Sequence, residues 1–420
     1  MKKLDSLKNS RLSRGLFAAR TAVRMIPSLL AGENADPRTV FRDFIGKSID
    51  QFVNEVGELK GSVLKAAQIL SLYGEYYLPE EVNEVLKKVQ SQSHYLAWER
   101  IESLIPEKLK QEMEIDETPL AAASIGQVHR AKIKKTGEIV VLKIQYPGIK
   151  KAIDLDMRMI KTFLSMGKLL PKKMNLDPIY SEIKKVLMEE MDYEHEARKH
   201  AEYEILMKDV PGCSVPKLYP EFCSPQVIVS EYKEGEPLST VKGLSQEERN
   251  RIGTTLFTLF LQEIFRGHLI QTDSHPGNYL YKDGVVILID FGACLSYPEK
   301  SLSQYRRLIG ELYHGRRENF FSVLAEISGT DKGFEFDRDL LWKYCELAAS
   351  PLRSKDYDWG TTRLPDELYP LGMELVTTSR IDTPPHDFIF LDRKILGLFS
   401  LLKSLRARFD VTSVSALYLD

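Results

Sequence analysis

The chain has 420 residues, 43% of them apolar and 28% charged, and a net charge of −2. That length holds two or three ordinary domains or one large two-lobed one, and the composition is that of a soluble globular chain. A near-neutral balance argues against a general nucleic-acid binder, which usually carries a strong basic excess. Four scattered cysteines (Cys213, Cys223, Cys294, Cys345), with no C-x-x-C pair, point to unbridged thiols in a reducing compartment, not to a disulfide frame or a zinc site. Apolar runs such as Ile395 to Leu402 fall far short of the roughly 20 residues that cross a bilayer, so no membrane span is expected.

Residues 1 to about 31 carry Lys2, Lys3, Lys8, Arg11, Arg14, Arg20 and Arg24 against the single acid Asp5. Leu4, Leu7, Leu12, Leu16, Val23 and Ile26 recur at helical spacing, giving a basic amphipathic helix. Such a helix lies on an anionic membrane surface, docks on a partner, resembles an organelle transit peptide, or packs on its own domain. It lacks the apolar core and cleavage site of a secretory signal. Asp36-Pro37 reads as an N-cap with proline at the first helical position, and the helical pattern runs on to about Tyr77. Lys65 and Gln68, three apart, share one helix face. Pro79 starts another helix, and the Tyr95–Trp98 stretch leads into a further one.

From Pro119 the period changes from helix to strand. AAASIGQVHRAKI, a turn at Thr136-Gly137-Glu138, and IVVLKIQYPG make a strand–turn–strand unit. Lys143 sits among Val140, Val141, Leu142 and Ile144, and a lysine buried there needs a counter-charge or a phosphate nearby. Helix is expected from Ile149 to about Leu170, and again from Asp177-Pro178 to about Met207. The second of these contains EEMDYEHEAR, whose Glu190, Asp192 and Glu196 make it an acid-rich helix able to supply a partner for Lys143. Gln226 to Glu231 is a short strand. It runs into Tyr232-Lys233-Glu234-Gly235-Glu236-Pro237, a hinge whose backbone groups suit the edge of an adenine.

Ser245 and Glu248 form a capping box ahead of an apolar helix from Ile252 to Phe265. That helix delivers the chain to DSHPGNYLYKDGVVILIDFG, residues 273 to 292. Asp273, then Asn278 five residues on, then a β-type run ending in Asp290-Phe291-Gly292, is the D-x4-N and D-F-G order of a phosphoryl-transfer site. That chemistry needs a carboxylate beside the attacking oxygen and oxygen ligands for Mg²⁺ near the phosphates. After Gly292 the pattern is helical to the end, interrupted by a polar stretch from Ser354 to Asp366 and by Pro384-Pro385.

With these parts in sequence order, the chain resembles the UbiB-like (AarF) atypical kinases over nearly its whole length, most closely the branch tied to coenzyme Q biosynthesis. The resemblance implies an α+β, two-lobed protein-kinase-like fold. It would comprise an N-terminal helical extension over 1–110, a kinase-like N-lobe over 111–235 and a largely helical C-lobe over 236–420. The family's alanine-rich nucleotide loop falls on Ala121, Ala122, Ala123 and Ser124, its strand lysine on Lys143, and the glutamate paired with that lysine on Glu196. Its E-x-D motif falls on Glu190 and Asp192, its K-x-G-Q motif on Lys65 to Gln68 with Ala67 in place of the glycine. Asp273 is the catalytic-loop aspartate, and Asn278 and Asp290 are the metal ligands. The common HADPHPGN loop stands here as QTDSHPGN, with Gln271 in first place. Glu231 and Tyr232 lie where the nucleotide base is held.

These residues imply ATP and Mg²⁺ as cofactors. Alanines in the nucleotide loop leave backbone N–H groups for phosphate oxygens while stiffening the loop relative to glycines. Tyr297-Pro298-Glu299 begins a helix almost at once after Gly292, which leaves little room for a peptide platform. The expected activity is a Mg²⁺-dependent ATPase or small-molecule phosphotransferase supporting isoprenoid-quinone synthesis. Its expected partners are a small or lipid-like substrate, quinone-biosynthesis proteins and an anionic membrane surface. The expected location is cytoplasm or organelle matrix, peripheral on the inner membrane. An ATP-binding scaffold with negligible turnover, and a protein kinase, are the alternatives.

Overall fold

The computed structural model describes residues 2–4, 94–123, 125–150, 153–154, 156–158, 177–328, 337–378 and 386–419. Most of the basic N-terminal stretch, Asp36-Pro37, Lys65, Gln68, Pro79, Ser124, Pro384-Pro385 and most of the expected 149–170 helix lie outside them. Lys2–Leu4 is a strand, paired in parallel with His94–Leu96, where helical spacing predicted the start of a helix. Side-chain spacing over thirty residues does not decide the backbone of the first few, which here meet a partner strand.

The described chain forms two compact units that are not sequential blocks. One comprises residues 1–197 and 218–232, the other 198–217 and 233–420. Residues 198–217 thus group with the second unit.

The first unit is built on an antiparallel sheet. Its strands are β1 (Met113–Ile115), β2 (Ala121–Ala122), β3 (Gly126–Ile133), β4 (Ile139–Gln145) and β5 (Val227–Glu231), in the order β1-β3-β4-β5, with β2 also paired to β3. Val140, Leu142 and Ile144 alternate along β4 and are fully buried, as a strand with one face on a core requires. Gly137, at φ +76°, takes the left-handed position that closes the β3–β4 turn. Helix α1 (Asp177–Glu190) buries Ile183 and Leu187.

The helix expected from 177 to 207 is two helices. After α1 the chain turns at Met191-Asp192 and restarts as α2 (Tyr193–Leu206). Asp192 explains the restart, because its Oδ1 accepts from His195 N–H at 3.0 Å, as an N-cap residue does. The apolar period alone hides this cap.

The second unit is mainly helical. Ser245 and Glu248 form the capping box reciprocally at the start of α3 (Gln246–Phe265). Most of the length of α3 is buried, including Ile252, Leu256, Phe257, Leu259, Phe260, Leu261 and Ile264. Two short pairings follow: β6 (Leu269–Gln271) with β9 (Cys294–Ser296), and the hairpin β7 (Tyr279–Lys282) with β8 (Val285–Leu288). The hairpin turns through Asp283 and Gly284, both at positive φ, which the twist of a two-residue hairpin favours. β9 interrupts the all-helical pattern expected after Gly292; three residues are too few for periodicity to reveal. Helix α4 (Glu299–Tyr313) and, near the end, α5 (His386–Leu405) belong to the helical remainder. The polar 354–366 stretch contains Trp359, wholly buried, with its ring 5.0 Å from Phe399 and 6.3 Å from both Phe257 and Phe409. It pins the core through the short Tyr357–Asp358 pairing with Arg408–Phe409.

Candidate active site

The sequence-predicted residues fall into two sets, one in each unit. In the first unit Lys143 projects from the face of β4 opposite Leu142 and Ile144. Its Nζ lies 2.5 Å from Glu196 Oε1 and 5.5 Å from the Tyr193 ring centroid. The lysine side chain is 19% exposed and the glutamate 5%, so the pair is largely withdrawn from water and held by a charge-assisted bond. Of the three acids on this stretch, Glu196 is the one that meets the lysine because α2 restarts at Asp192. The cap places Tyr193 and Glu196 on one face, three residues apart. Glu190 is buried at the end of α1, and Asp192 is half-buried and occupied in capping.

Two further side chains fix this arrangement. Gln145 Nε2 donates to Met191 O at 3.0 Å, tying the end of β4 to the α1–α2 break. Gly126 lies so close to β4 and α2 that a Cβ there would stand 2.5 Å from Ile144 O and 2.7 Å from Tyr193 Oη. Gly126 was legible only as part of the alanine-rich loop; its crowding comes from residues far along the chain.

In the expected nucleotide loop one backbone amide is already bonded within the hairpin. Ala123 N–H donates to Gly126 O at 2.9 Å, and Ala121 and Ala122 are paired with Val128 and Gln127. The Ala123 amide is therefore spent on the hairpin, not open to a phosphate, because the segment continues the sheet as a strand. The same holds at the hinge: Tyr232 N–H donates to Ile139 O at 3.1 Å, extending the β4–β5 ladder. Glu231 is the register partner of Val140, and the Tyr232 ring lies under the Arg130 guanidinium at 5.0 Å.

In the second unit Asp273 precedes a short helical turn, Pro276–Asn278, that ends on Asn278. Asn278 Nδ2 donates to Asp273 O at 3.0 Å, which leaves Oδ1 as the acceptor end of that amide. Asp273 Oδ1 accepts from His275 N–H at 3.3 Å, and His275 Nδ1 from Gly277 N–H at 3.0 Å, so the loop is braced from within. Ile289 N–H donates to Asn278 O at 3.0 Å, bringing the strand before Asp290 against the loop. Asp290 Oδ1 accepts from Gly292 N–H at 3.1 Å, a turn bond that orients its carboxylate. Gln271 joins the two loops. Its Nε2 donates to Asp290 O at 2.7 Å while its Oε1 accepts from Tyr279 Oη at 2.9 Å. Phe291 is buried, stacked on His200 at 4.2 Å and close to Tyr203 at 5.4 Å.

The donor set of these loops, one amide oxygen and carboxylates, is hard and oxygen-only. Among the described residues no cluster of three or more His, Cys, Asp or Glu could cage a metal. The oxygen donors of Asn278 and Asp290 fit Mg²⁺, which keeps several waters and takes one or two carboxylates plus phosphates. All four cysteines are thiols, and burial pushes the Cys294 thiol well up and the Cys213 thiol up to about 12. Neither is primed as a nucleophile.

Known proteins resemble this chain over most of its length. The family model for the ABC1 atypical kinase-like domain matches residues 88–324. The Saccharomyces cerevisiae protein named atypical kinase COQ8, mitochondrial, is 30% identical over 95% of this chain and 83% of its own length. The Schizosaccharomyces pombe protein of the same name is 31% identical over 86% of this chain, which spans 61% of that relative. The Danio rerio atypical kinase COQ8B, mitochondrial, is 28% identical, with 86% and 59% covered. Among solved structures, the Rv3197–erythromycin complex from Mycobacterium tuberculosis aligns over 91% of this chain and 98% of its own, at TM-score 0.59 and 24% identity. The fold class is α+β and kinase-like.

Proposed function

The chain belongs to the ABC1 atypical kinase-like family, and from that premise we propose a Mg²⁺-dependent ATPase or small-molecule phosphotransferase that supports ubiquinone synthesis. The observation that carries the reading is the 2.5 Å Lys143–Glu196 pair, a strand lysine held by a helix glutamate. Such a pair presents an ammonium to the α- and β-phosphates of a nucleotide. Asn278 Oδ1 and the Asp290 carboxylate would hold Mg²⁺, which when bound neutralises charge on the transferring phosphate. Asp273, braced by the loop, orients the acceptor oxygen and takes its proton.

A small acceptor, or water, is favoured over a protein. Only six residues separate Gly292 from α4, and three of them are β9, paired to β6. No extended segment is left there to bind a peptide. Relatives named as mitochondrial favour an organelle matrix location; a peripheral place on the inner membrane, with quinone-biosynthesis proteins and a lipid-like substrate as partners, is part of the same proposal. Among the described residues no helix is long and apolar enough to cross a membrane.

The test is Asp290→Asn in the full chain. Phosphate release from Mg²⁺–ATP should be abolished while the melting profile stays that of the wild type. Unchanged hydrolysis in this variant would remove Asp290 from the mechanism. Nucleotide binding without turnover in the wild type, across phenolic acceptors and anionic vesicles, would favour a scaffold.

A further inference from the structure

Helix α5 reaches the back of the catalytic loop with a charge. Lys394 Nζ lies 2.9 Å from Glu263 Oε2 and 3.1 Å from Oε1, and the two side chains are 2% and 0% exposed. Glu263 sits in the last turns of α3. Its Oε1 also accepts from Tyr203 Oη at 2.8 Å and from Gln271 N–H at 3.3 Å. Gln271 is the residue whose side chain reaches Asp290 O. One helical turn beyond Lys394, Gly397 faces Ser274, the neighbour of Asp273, so closely that a Cβ would stand 2.9 Å from Ser274 Cβ. Helix α5 therefore meets the loop directly at Ser274, through Gly397 and a bond from Ser274 Oγ to Lys394 O at 3.5 Å, and indirectly through Glu263.

A buried ion pair is not needed to fill this space. Apolar residues of similar volume usually serve stability as well or better, since two charges must be stripped of water. Desolvation does push the Glu263 carboxyl up, against the opposing pull of Lys394. What an apolar pair cannot do is accept the Gln271 amide and the Tyr203 hydroxyl at one atom.

We propose that Lys394 and Glu263 are positioning residues, through which helix α5 sets Gln271 and, by its side chain, the metal loop at Asp290. The inference rests on the proposed reading in one respect, that the loops at Asn278 and Asp290 take Mg²⁺ with a nucleotide. It predicts that helix α5, far along the chain from the metal loop, governs Mg²⁺ affinity as well as folding.

Three full-length variants test it. Lys394→Met leaves the carboxylate without its cation. Glu263→Gln with Lys394→Met keeps an acceptor for Gln271 and Tyr203 without buried charge. Leu402→Ala, a fully buried apolar residue on the same helix, serves as a control for lost stability. Two quantities are read: hydrogen exchange over residues 269–278 without nucleotide, and the Mg²⁺ midpoint of the melting-temperature rise given by ATP. K394M should speed exchange and raise the midpoint about tenfold or more, as loss of a group supporting a metal ligand does. The double variant should return both toward wild type, and L402A, despite its lower melting temperature, should leave the midpoint unmoved. If K394M does not fold, Tyr203→Phe removes a donor from the same carboxylate and is read for the same two changes. A K394M or Y203F midpoint equal to that of L402A overturns the inference. Wild-type protein that ATP and Mg²⁺ do not stabilise overturns it together with the proposed function. Wild-type binding without turnover sinks the phosphotransferase reading alone, because the midpoint is still measurable.

Discussion

Replacing Gly126 by alanine adds one methyl at the point where β3, β4 and α2 converge. Its Cβ would stand 2.5 Å from Ile144 O and 2.7 Å from Tyr193 Oη, both well inside contact distance. The hydroxyl is on a side chain that can swing; the carbonyl is backbone and cannot give without moving β4. Ile144 follows Lys143, and Gly126 is the register partner of Gln145, so the strain falls on the segment that carries the lysine. Overpacking a well-filled site costs about 1–3 kcal/mol. A unit of this size loses about 2–4 °C per kcal/mol, so a melting-temperature drop of about 2–12 °C is expected. If Tyr193 turns away instead, Lys143 loses the ring 5.5 Å from its ammonium, worth about 0.5–1 kcal/mol or more where water is excluded. Either route should weaken nucleotide affinity along with stability. The assay is a thermal melt paired with ATP titration calorimetry. Gly310→Ala provides the opposite sign: nothing lies within 4 Å of its added Cβ on helix α4, so about 1 kcal/mol of stabilisation is expected. A Gly126→Ala protein with wild-type melting temperature and wild-type ATP affinity would refute the crowding argument.

Glu196→Gln removes the charge on Lys143's partner while keeping its shape. A charge-assisted bond in this setting contributes about 1.5–3 kcal/mol, so the ATP dissociation constant should rise roughly 10- to 100-fold. Unaltered affinity by fluorescent-nucleotide competition would show that Lys143 needs no partner. His129 is buried, its Nδ1 2.7 Å from Asp116 O and its Nε2 2.9 Å from Gln127 Nε2, and burial holds its imidazole below the ordinary value of 6.5. The unfolded chain therefore binds the extra proton more readily, and stability falls as pH drops through 6.5 toward the lower folded value. Melts between about pH 7.5 and about pH 5.5 should show a smaller decline for His129→Gln than for wild type; parallel curves would exclude His129 as the titrating group.

Much of the second unit's candidate site was legible because its parts are close in sequence. D-x4-N and D-F-G are separated by one hairpin, and a hairpin closed by Asp283-Gly284 keeps such neighbours together whatever else the chain does. The Ser245–Glu248 capping box and the Gly137 turn are local in the same sense, set by side chains within three residues of the backbone they satisfy. The two-strand unit around Lys143 was visible for the same reason: alternation writes itself into residues two apart.

What tertiary structure decided is which distant groups meet. EEMDYEHEAR offers several acids to Lys143, and only the break at Asp192 turns Glu196 toward a lysine 53 positions away. The amides of Ala123 and Tyr232 looked open to a ligand in sequence but are consumed by the sheet, since a strand edge spends its donors on whichever strand lies beside it. Gly126 is constrained by Tyr193, and Glu263 is paired with Lys394 across 131 residues. Local chemistry fixes turns, caps and alternating faces because the cost of leaving a backbone group unsatisfied is felt within a few residues. Buried charge pairs and close backbone approaches carry no such local signature, because their partners are chosen by packing.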